Sequence, residues 1–308
     1  MVKKFAIQTL LFFIPVIIIC VLLEKYTRDL SMPYSFVAEQ LEQKADSIKA
    51  VAFGSSQMKD GLNAEWLSVP SINLASGNQH LDIDFKLYRG LKERLTSLET
   101  VIIEVSYAHF EMPHNGRNFW KNSIYLEYYD VNCFERNTWY KDRLIYFSNP
   151  PFYSDILYKS LRDLRTERFN SYGFNTNNFE GSFKNADYDE KKIATYKFQI
   201  NTKVAPEIFK KNVEHFILML DTFRNDKIKV LIVTPPMYKE YLAKRNPEIL
   251  KRRDSILFQV RKQYDNVEFL LLEEDTLLFE TRDFLNHNHL NPRGARKLAT
   301  EVNKILEY

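Results

Sequence analysis

The sequence is poor in cysteine. Cys20 and Cys133 are its only two, and no Cys or Cys/His group stands at metal-ligand spacing. One lies inside an apolar run and the other far away in the body, so neither a disulfide framework nor a zinc-type site is expected. Net charge is scarce as well: 43 Lys and Arg against 40 Asp and Glu leave +3. Lys3, Lys4, Lys25 and Arg28, set against Glu24 and Asp29, place most of that excess in the first thirty residues. The rest is close to neutral and lacks the basic stripe that nucleic acid requires, so no nucleic-acid partner is expected. No internal repeat, low-complexity tract or Gly/Ser or Pro linker divides residues 31–308, which read as one domain. With 45% hydrophobic and 27% charged residues, a largely disordered chain is excluded.

Long apolar runs are also lacking, with one exception. Phe5 to Leu23 (FAIQTLLFFIPVIIICVLL) is apolar apart from Gln8 and Thr9. Nineteen residues at a rise of about 1.5 Å approach the hydrocarbon thickness of a bilayer. Lys3 and Lys4 precede the run, so the positive-inside rule keeps the N-terminus in the cytoplasm and the remainder outside. The expected organisation is a cytoplasmic tip and transmembrane anchor over residues 1–30, with the membrane as partner through residues 5–23. A cleaved signal peptide is the rival, but Glu24-Lys25-Tyr26-Thr27-Arg28 offers no small-residue cleavage site. Lipidation at Cys20 is a third reading, against which Ile17-Ile18-Ile19 lacks small residues.

Beyond a polar helical stretch over 24–47, the pattern changes to short apolar runs. Ile48–Phe53, Val69–Ala75, Thr100–Val105, Lys229–Val233 and Val267–Leu272 have the length and Val/Ile/Leu content of strands buried on both faces of a parallel sheet. Helical periodicity separates them at His80–Thr96, Pro206–Arg224 and Asn246–Tyr264, and Asn291–Leu306 closes the chain. The alternation predicts an α/β fold, a three-layer α/β/α sandwich on a five-stranded parallel sheet. Residues 107–205, dense in aromatics and Asn, break the pattern and read as an insertion after the third strand. It either walls a site at the strand ends or buries its own aromatics. Trp120 and Trp139 are candidates for stacking on sugar rings, though core burial is the commoner fate of such residues.

Three strand ends carry chemistry. The first leads into Gly54-Ser55-Ser56, a serine on a strand-to-helix turn, or simply a helix cap. The second leads into Ser76-Gly77-Asn78, where a glycine lets a backbone N–H approach a ligand, or merely turns a loop. The last is Asp283-Phe284-Leu285-Asn286-His287-Asn288-His289-Leu290-Asn291-Pro292-Arg293-Gly294-Ala295, a histidine-bearing loop before the final helix. There the histidines are candidate bases, surface groups or metal ligands, and His-x-His without further Cys or Glu support argues little for metal.

Taken together, Gly-x-Ser after the first strand, the Gly loop after the second and His-Leu-Asn-x-x-Gly-Ala near the end resemble the SGNH/GDSL hydrolases. The variant is similar to their membrane-anchored branch, which includes DltD and polysaccharide O-acetylation proteins. The resemblance spans roughly residues 48–308 and implies the sheet order 2-1-3-4-5. It implies Ser56 as nucleophile and His289 as base, with the Ser56 N–H and Gly77 binding the oxyanion. Two positions depart from the family. Asn286 stands where the family has Asp, three residues before the histidine. After the third strand no oxyanion Asn is present, and Ser106 is the nearest small donor. Asp283 is the one acid on the loop and a candidate substitute, at a spacing the family does not use.

The resemblance implies an extracytoplasmic serine esterase or O-acyltransferase acting on acyl groups, O-acetyl above all, of cell-surface glycans. An acylated glycan or other acyl donor is the expected ligand and a membrane acyltransferase a candidate partner. No cofactor and no metal enters this reading. The alternative is a weak or inactive SGNH-like envelope protein that binds a glycan or assists such an acyltransferase.

Overall fold

The five apolar runs form the sheet. In the computed structural model, which describes residues 2–307, the strands are β1 (Ala50–Phe53), β2 (Ser71–Asn73), β3 (Thr100–Glu104), β4 (Lys229–Thr234) and β5 (Val267–Leu271). All neighbours pair parallel in the order β2-β1-β3-β4-β5. This is the order the resemblance implies. Consecutive side chains of β1 are all buried, as are those from Val101 to Glu104 in β3. A strand has both faces covered when its inward and outward positions alike are buried. Helices supply the cover: Leu81–Leu91 packs with Pro206–Asn225, and Pro292–Leu306 with Ser56–Gly61.

Local chemistry sets the helix starts. Pro206, Pro247 and Pro292 each occupy a first-turn position, where the missing N–H costs nothing. Asn246 and Asn291 cap two of these helices through their side-chain oxygens. The helix expected over His80–Thr96 ends at Leu91, and Thr96 lies in a turn. Two short strands were not expected. β6 (Phe284–Asn286) and β7 (His289–Leu290) pair antiparallel, with His287 and Asn288 as the turn between them.

The chain divides into two compact units. One comprises residues 33–116 and 167–308 and contains the sheet. The other comprises residues 1–32 and 117–166. In it the helix Val2–Arg28 has a mean hydropathy of 2.8 over its most apolar stretch, none of it buried, and is long and apolar enough to cross a membrane. Its last turn is tied to its own unit. The Glu24 carboxylate accepts the N–H of Ile145 (2.7 Å) and of Tyr146 (2.9 Å), and Arg28 donates to the Arg143 carbonyl (2.7 Å). The core of this unit includes Tyr125, Tyr129, Phe134 and Tyr153, and a buried Arg136–Asp142 pair held at 2.6 Å. The aromatic stretch 107–205 is therefore shared: Arg117–Thr166 belongs here, and the segments on either side belong to the sheet unit.

Candidate active site

The turn after β1 is built for a close approach. Gly54 takes φ +141°, and a Cβ there would stand 2.7 Å from both Cβ and Oε2 of Glu104. Only glycine satisfies both conditions. Ser55 then caps the six-residue helix Ser56–Gly61, its Oγ accepting the Gln57 N–H at 3.2 Å. Ser56 opens that helix with its hydroxyl directed at the hairpin.

Two buried carboxyls hold this turn. Glu104, at the carboxyl end of β3, accepts the Ser55 N–H at Oε2 (2.7 Å) and the Ser55 hydroxyl (2.9 Å to Oε2). Its Oε1 accepts the Ser106 hydroxyl at 3.0 Å. Asp84 accepts Gln79 Nε2 at 2.7 Å and the Gly54 N–H. Burial pushes both carboxyls above the ordinary carboxylate range, Asp84 well above it.

The β6–β7 hairpin delivers the histidine. Asn286 and His289 are cross-strand partners, so residues three apart in sequence face each other across a two-residue turn. His289 Nε2 lies 2.8 Å from Ser56 Oγ. Its Nδ1 lies 3.1 Å from Asn286 Oδ1 and 3.0 Å from Asn288 Oδ1. Asn286 Oδ1 also receives the Asn288 N–H at 3.0 Å, which requires an acceptor and so fixes the amide orientation. Two amide oxygens at Nδ1 select the Nδ1–H tautomer and leave the Nε2 lone pair facing the serine hydroxyl. Burial lowers the His289 pKa from its usual value, which keeps the ring neutral and able to accept a proton.

Asp283 is not at the imidazole. It is fully buried, where it pairs with Lys297 at 2.6 Å and with Arg293 at 2.9 Å. The rest of the terminal block is structural. Leu290 is in the core. Asn291 accepts the N–H of Arg293 (2.9 Å) and Gly294 (3.2 Å) while donating to the Arg282 carbonyl at 2.8 Å. A Cβ on Gly294 would run into the Asp283 carbonyl, so the glycine lets the final helix lie against the hairpin.

Ser56, His289 and Ser106 line one cleft of about 790 Å³, together with Glu104, Asn78 and Gln79. Gly77 is not among the lining residues; its neighbour Asn78 is, in the left-handed region at φ +60°. Neither Trp120 nor Trp139 lines the cleft. The rings that do are Phe198 and Tyr241, beside the amides of Gln199 and Asn201. Phe198 is held in place by stacking on His287, ring centroids 4.0 Å apart. Sequence reasoning passed over Glu104, Asp84, Asn288, Phe198 and Tyr241. Of these only Glu104 carried a signal, as a charged residue closing an otherwise apolar buried run.

The fold is an α/β one on a five-stranded parallel sheet in the order β2-β1-β3-β4-β5. Solved structures to which the chain is similar include a GDSL-like lipase from Bacteroides thetaiotaomicron, at 10% identity and TM-score 0.42 over 89% of this chain and 97% of that one. A Bacteroides fragilis protein classed provisionally as an acylhydrolase gives 9% and 0.42 over 88% and 93%. A Streptococcus pneumoniae protein classed provisionally as a platelet activating factor gives 10% and 0.40 over 98% and 99%. No protein-family model and no curated protein matches the sequence. Likeness of this order says nothing of chemistry, which has to come from the side chains.

Proposed function

We propose that the protein is a serine esterase or O-acyltransferase that works through Ser56 and His289. The observation that carries this is the 2.8 Å contact between Ser56 Oγ and His289 Nε2, with the far ring nitrogen held by amide oxygens. A nucleophile bonded to a base, itself oriented by a third group, is the arrangement covalent acyl chemistry needs. Ser56 Oγ attacks the acyl carbonyl while His289 takes its proton. The tetrahedral oxyanion meets the Ser56 N–H and neighbouring donors, with Ser106 and the Gly77–Asn78 loop as candidates. The C–O bond to the leaving alcohol breaks, and His289 returns the proton to that alcohol. His289 then deprotonates water or a sugar hydroxyl, which attacks the acyl-serine ester; the acyl–Oγ bond breaks and His289 returns the proton to Ser56 Oγ. Which of the two acceptors is used sets hydrolysis against transfer.

Glycan-borne O-acetyl groups are the substrate class this reading favours. The cleft wall combines aromatic rings and side-chain amides, Phe198 and Tyr241 with Asn78, Gln79, Gln199 and Asn201, which suits a hydroxyl-rich ring better than a long hydrocarbon chain. The apolar helix supports a place at the membrane with the Ser56 cleft on the extracytoplasmic side, given Lys3 and Lys4 before it. The test is fluorophosphonate labelling of the full chain in detergent, with the adduct located by mass spectrometry. An adduct on Ser56 that is lost in His289→Ala supports the enzyme. Folded protein that takes no label sinks it and leaves a glycan-binding role for the cleft, a reading that the uncharged amide partners of His289 favour.

A further inference from the structure

The unit that carries the apolar helix has an exposed surface that the cleft chemistry does not use. Along the helix, Cys20, Leu23 and Glu24 are half-buried and Thr27 is buried, while Val21, Leu22, Lys25 and Tyr26 between them are exposed. Spacings of three and four put the covered residues on one face. That face packs on Ile145–Ser148 and Pro150–Leu161. Because the apolar run ends at Leu23, Glu24 marks the edge of any hydrocarbon layer the helix crosses. The bonds from Glu24 to the N–H groups of Ile145 and Tyr146, and from Arg28 to the Arg143 carbonyl, therefore place residues 143–146 level with that edge.

Large apolar side chains are exposed on the two segments that adjoin this end of the helix. Trp139 and Tyr140 open the π-helical turn Trp139–Arg143 that ends at the Arg28 contact, and they are 69% and 52% exposed. Tyr158, Leu161 and Leu164 are exposed on and just after the helix Pro150–Leu161. Lys141 lies over the Tyr140 ring at 5.7 Å and Arg162 over the Tyr158 ring at 5.8 Å. Indole and phenol rings partition to the headgroup level of a bilayer, and basic side chains beside them reach phosphate. We infer that the surface formed by Trp139–Arg143 and Pro150–Leu161 rests in the headgroup layer where the helix emerges, with Trp139 and Tyr140 as interfacial anchors. The inference rests on the reading that Phe5–Leu23 crosses a bilayer. Lipid is favoured over a protein partner as occupant because the chain's own helix holds this surface at the lipid edge.

The experiment uses the full chain with Trp66→Phe and Trp120→Phe, so that Trp139 is the sole indole. It is reconstituted in phosphatidylcholine vesicles with no other protein. Lipids brominated near the headgroup should remove about half or more of its emission, and lipids brominated near the chain end much less. The native chain compared with Trp139→Phe gives the same quantity by difference and guards against a misfolded variant. A second chain, in which Trp139→Phe is added and Phe12→Trp introduces an indole in the middle of the run, should show the reverse depth order. Trp139 emission untouched by either bromolipid, with the indole at position 12 quenched, overturns the surface alone. An unquenched indole at position 12 removes the span and overturns both.

Discussion

At the scale of single residues, the site is set by what faces the imidazole and what faces the turn beneath it. His289 has amide oxygens where a carboxylate would add charge. Asn286→Asp keeps the shape, and its oxygen still accepts the Asn288 N–H. The new charge stabilises the imidazolium formed as Ser56 attacks, so kcat should rise by about 10- to 100-fold. The same charge raises the His289 pKa, which burial now holds down, and so moves the acid limb of the kcat/KM profile to higher pH. A pH–rate series on both chains checks this, and an Asp variant slower than Asn at every pH would sink it. Glu104 governs the other limb. Ionised, its Oε1 takes the only proton of the Ser106 hydroxyl. Protonated, it donates to Ser106 instead and frees that proton for an oxyanion. Burial raises the Glu104 pKa, and the charged or titratable groups facing it are His109, 3.9 Å from Oε1, with His289, Asp84 and Tyr241. The rate should therefore fall as pH rises through the Glu104 titration. Glu104→Gln, whose amide donates to Ser106 at any pH, should abolish that fall, and Ser106→Ala should lose about 10²-fold on the acid side. An unchanged alkaline limb in Glu104→Gln would rule this out.

At the scale of elements, the hairpin and its anchor decide whether His289 reaches Ser56. Asn291 caps the final helix and at the same time donates to the carbonyls of Arg282 and Phe284. Asn291→Ala removes the cap and leaves those carbonyls without that donor, at a cost of about 2 kcal/mol. A lower thermal midpoint is expected, with kcat falling more than KM changes, because β7 loses its tether while the cleft wall at Phe198 and Tyr241 stays. Four strands of the sheet were legible because each holds a short apolar run, as at Val101–Ile103, whereas β2 (Ser71-Ile72-Asn73) shows one only together with its flanks Val69 and Leu74-Ala75. Their order was not in the periodicity; it followed from the resemblance carried by the Gly-x-Ser and His-Leu-Asn blocks. The hairpin was illegible, since Phe284-Leu285-Asn286 and His289-Leu290 are too short to show alternation, yet the three-residue spacing of Asn286 and His289 is its trace. The split of residues 107–205 between two units was illegible for another reason. Aromatics are dense on both sides of Arg117 and Thr166, and composition cannot tell Tyr125, which is buried, from Trp139, which is not.

At the scale of the whole molecule, charge bears on the substrate. The chain carries only +3, and most of that lies in the N-terminal thirty residues. The cleft adds no cation. Among its lining side chains Glu104 is the only acid, no Lys or Arg is present, and burial pushes the pKa of His80 and of His109 down to about 4, so both rings are neutral at neutral pH. A polyanionic glycan would find no steering field at long range and no cation among the lining side chains, with Lys244 over the Phe198 ring (4.4 Å) the cation beside the wall, so most of its desolvation would go uncompensated. An uncharged O-acetylated sugar loses nothing by this. With such a substrate, kcat/KM should change by less than about twofold between low and high ionic strength, because no exposed opposite charges are being screened. A uronic-acid analogue of the same size should be the poorer substrate, because its carboxylate loses water on entry and meets no Lys or Arg among the lining side chains. A steep loss of rate with salt would instead require a cationic surface next to the cleft, and would move the expected substrate to the anionic polymers.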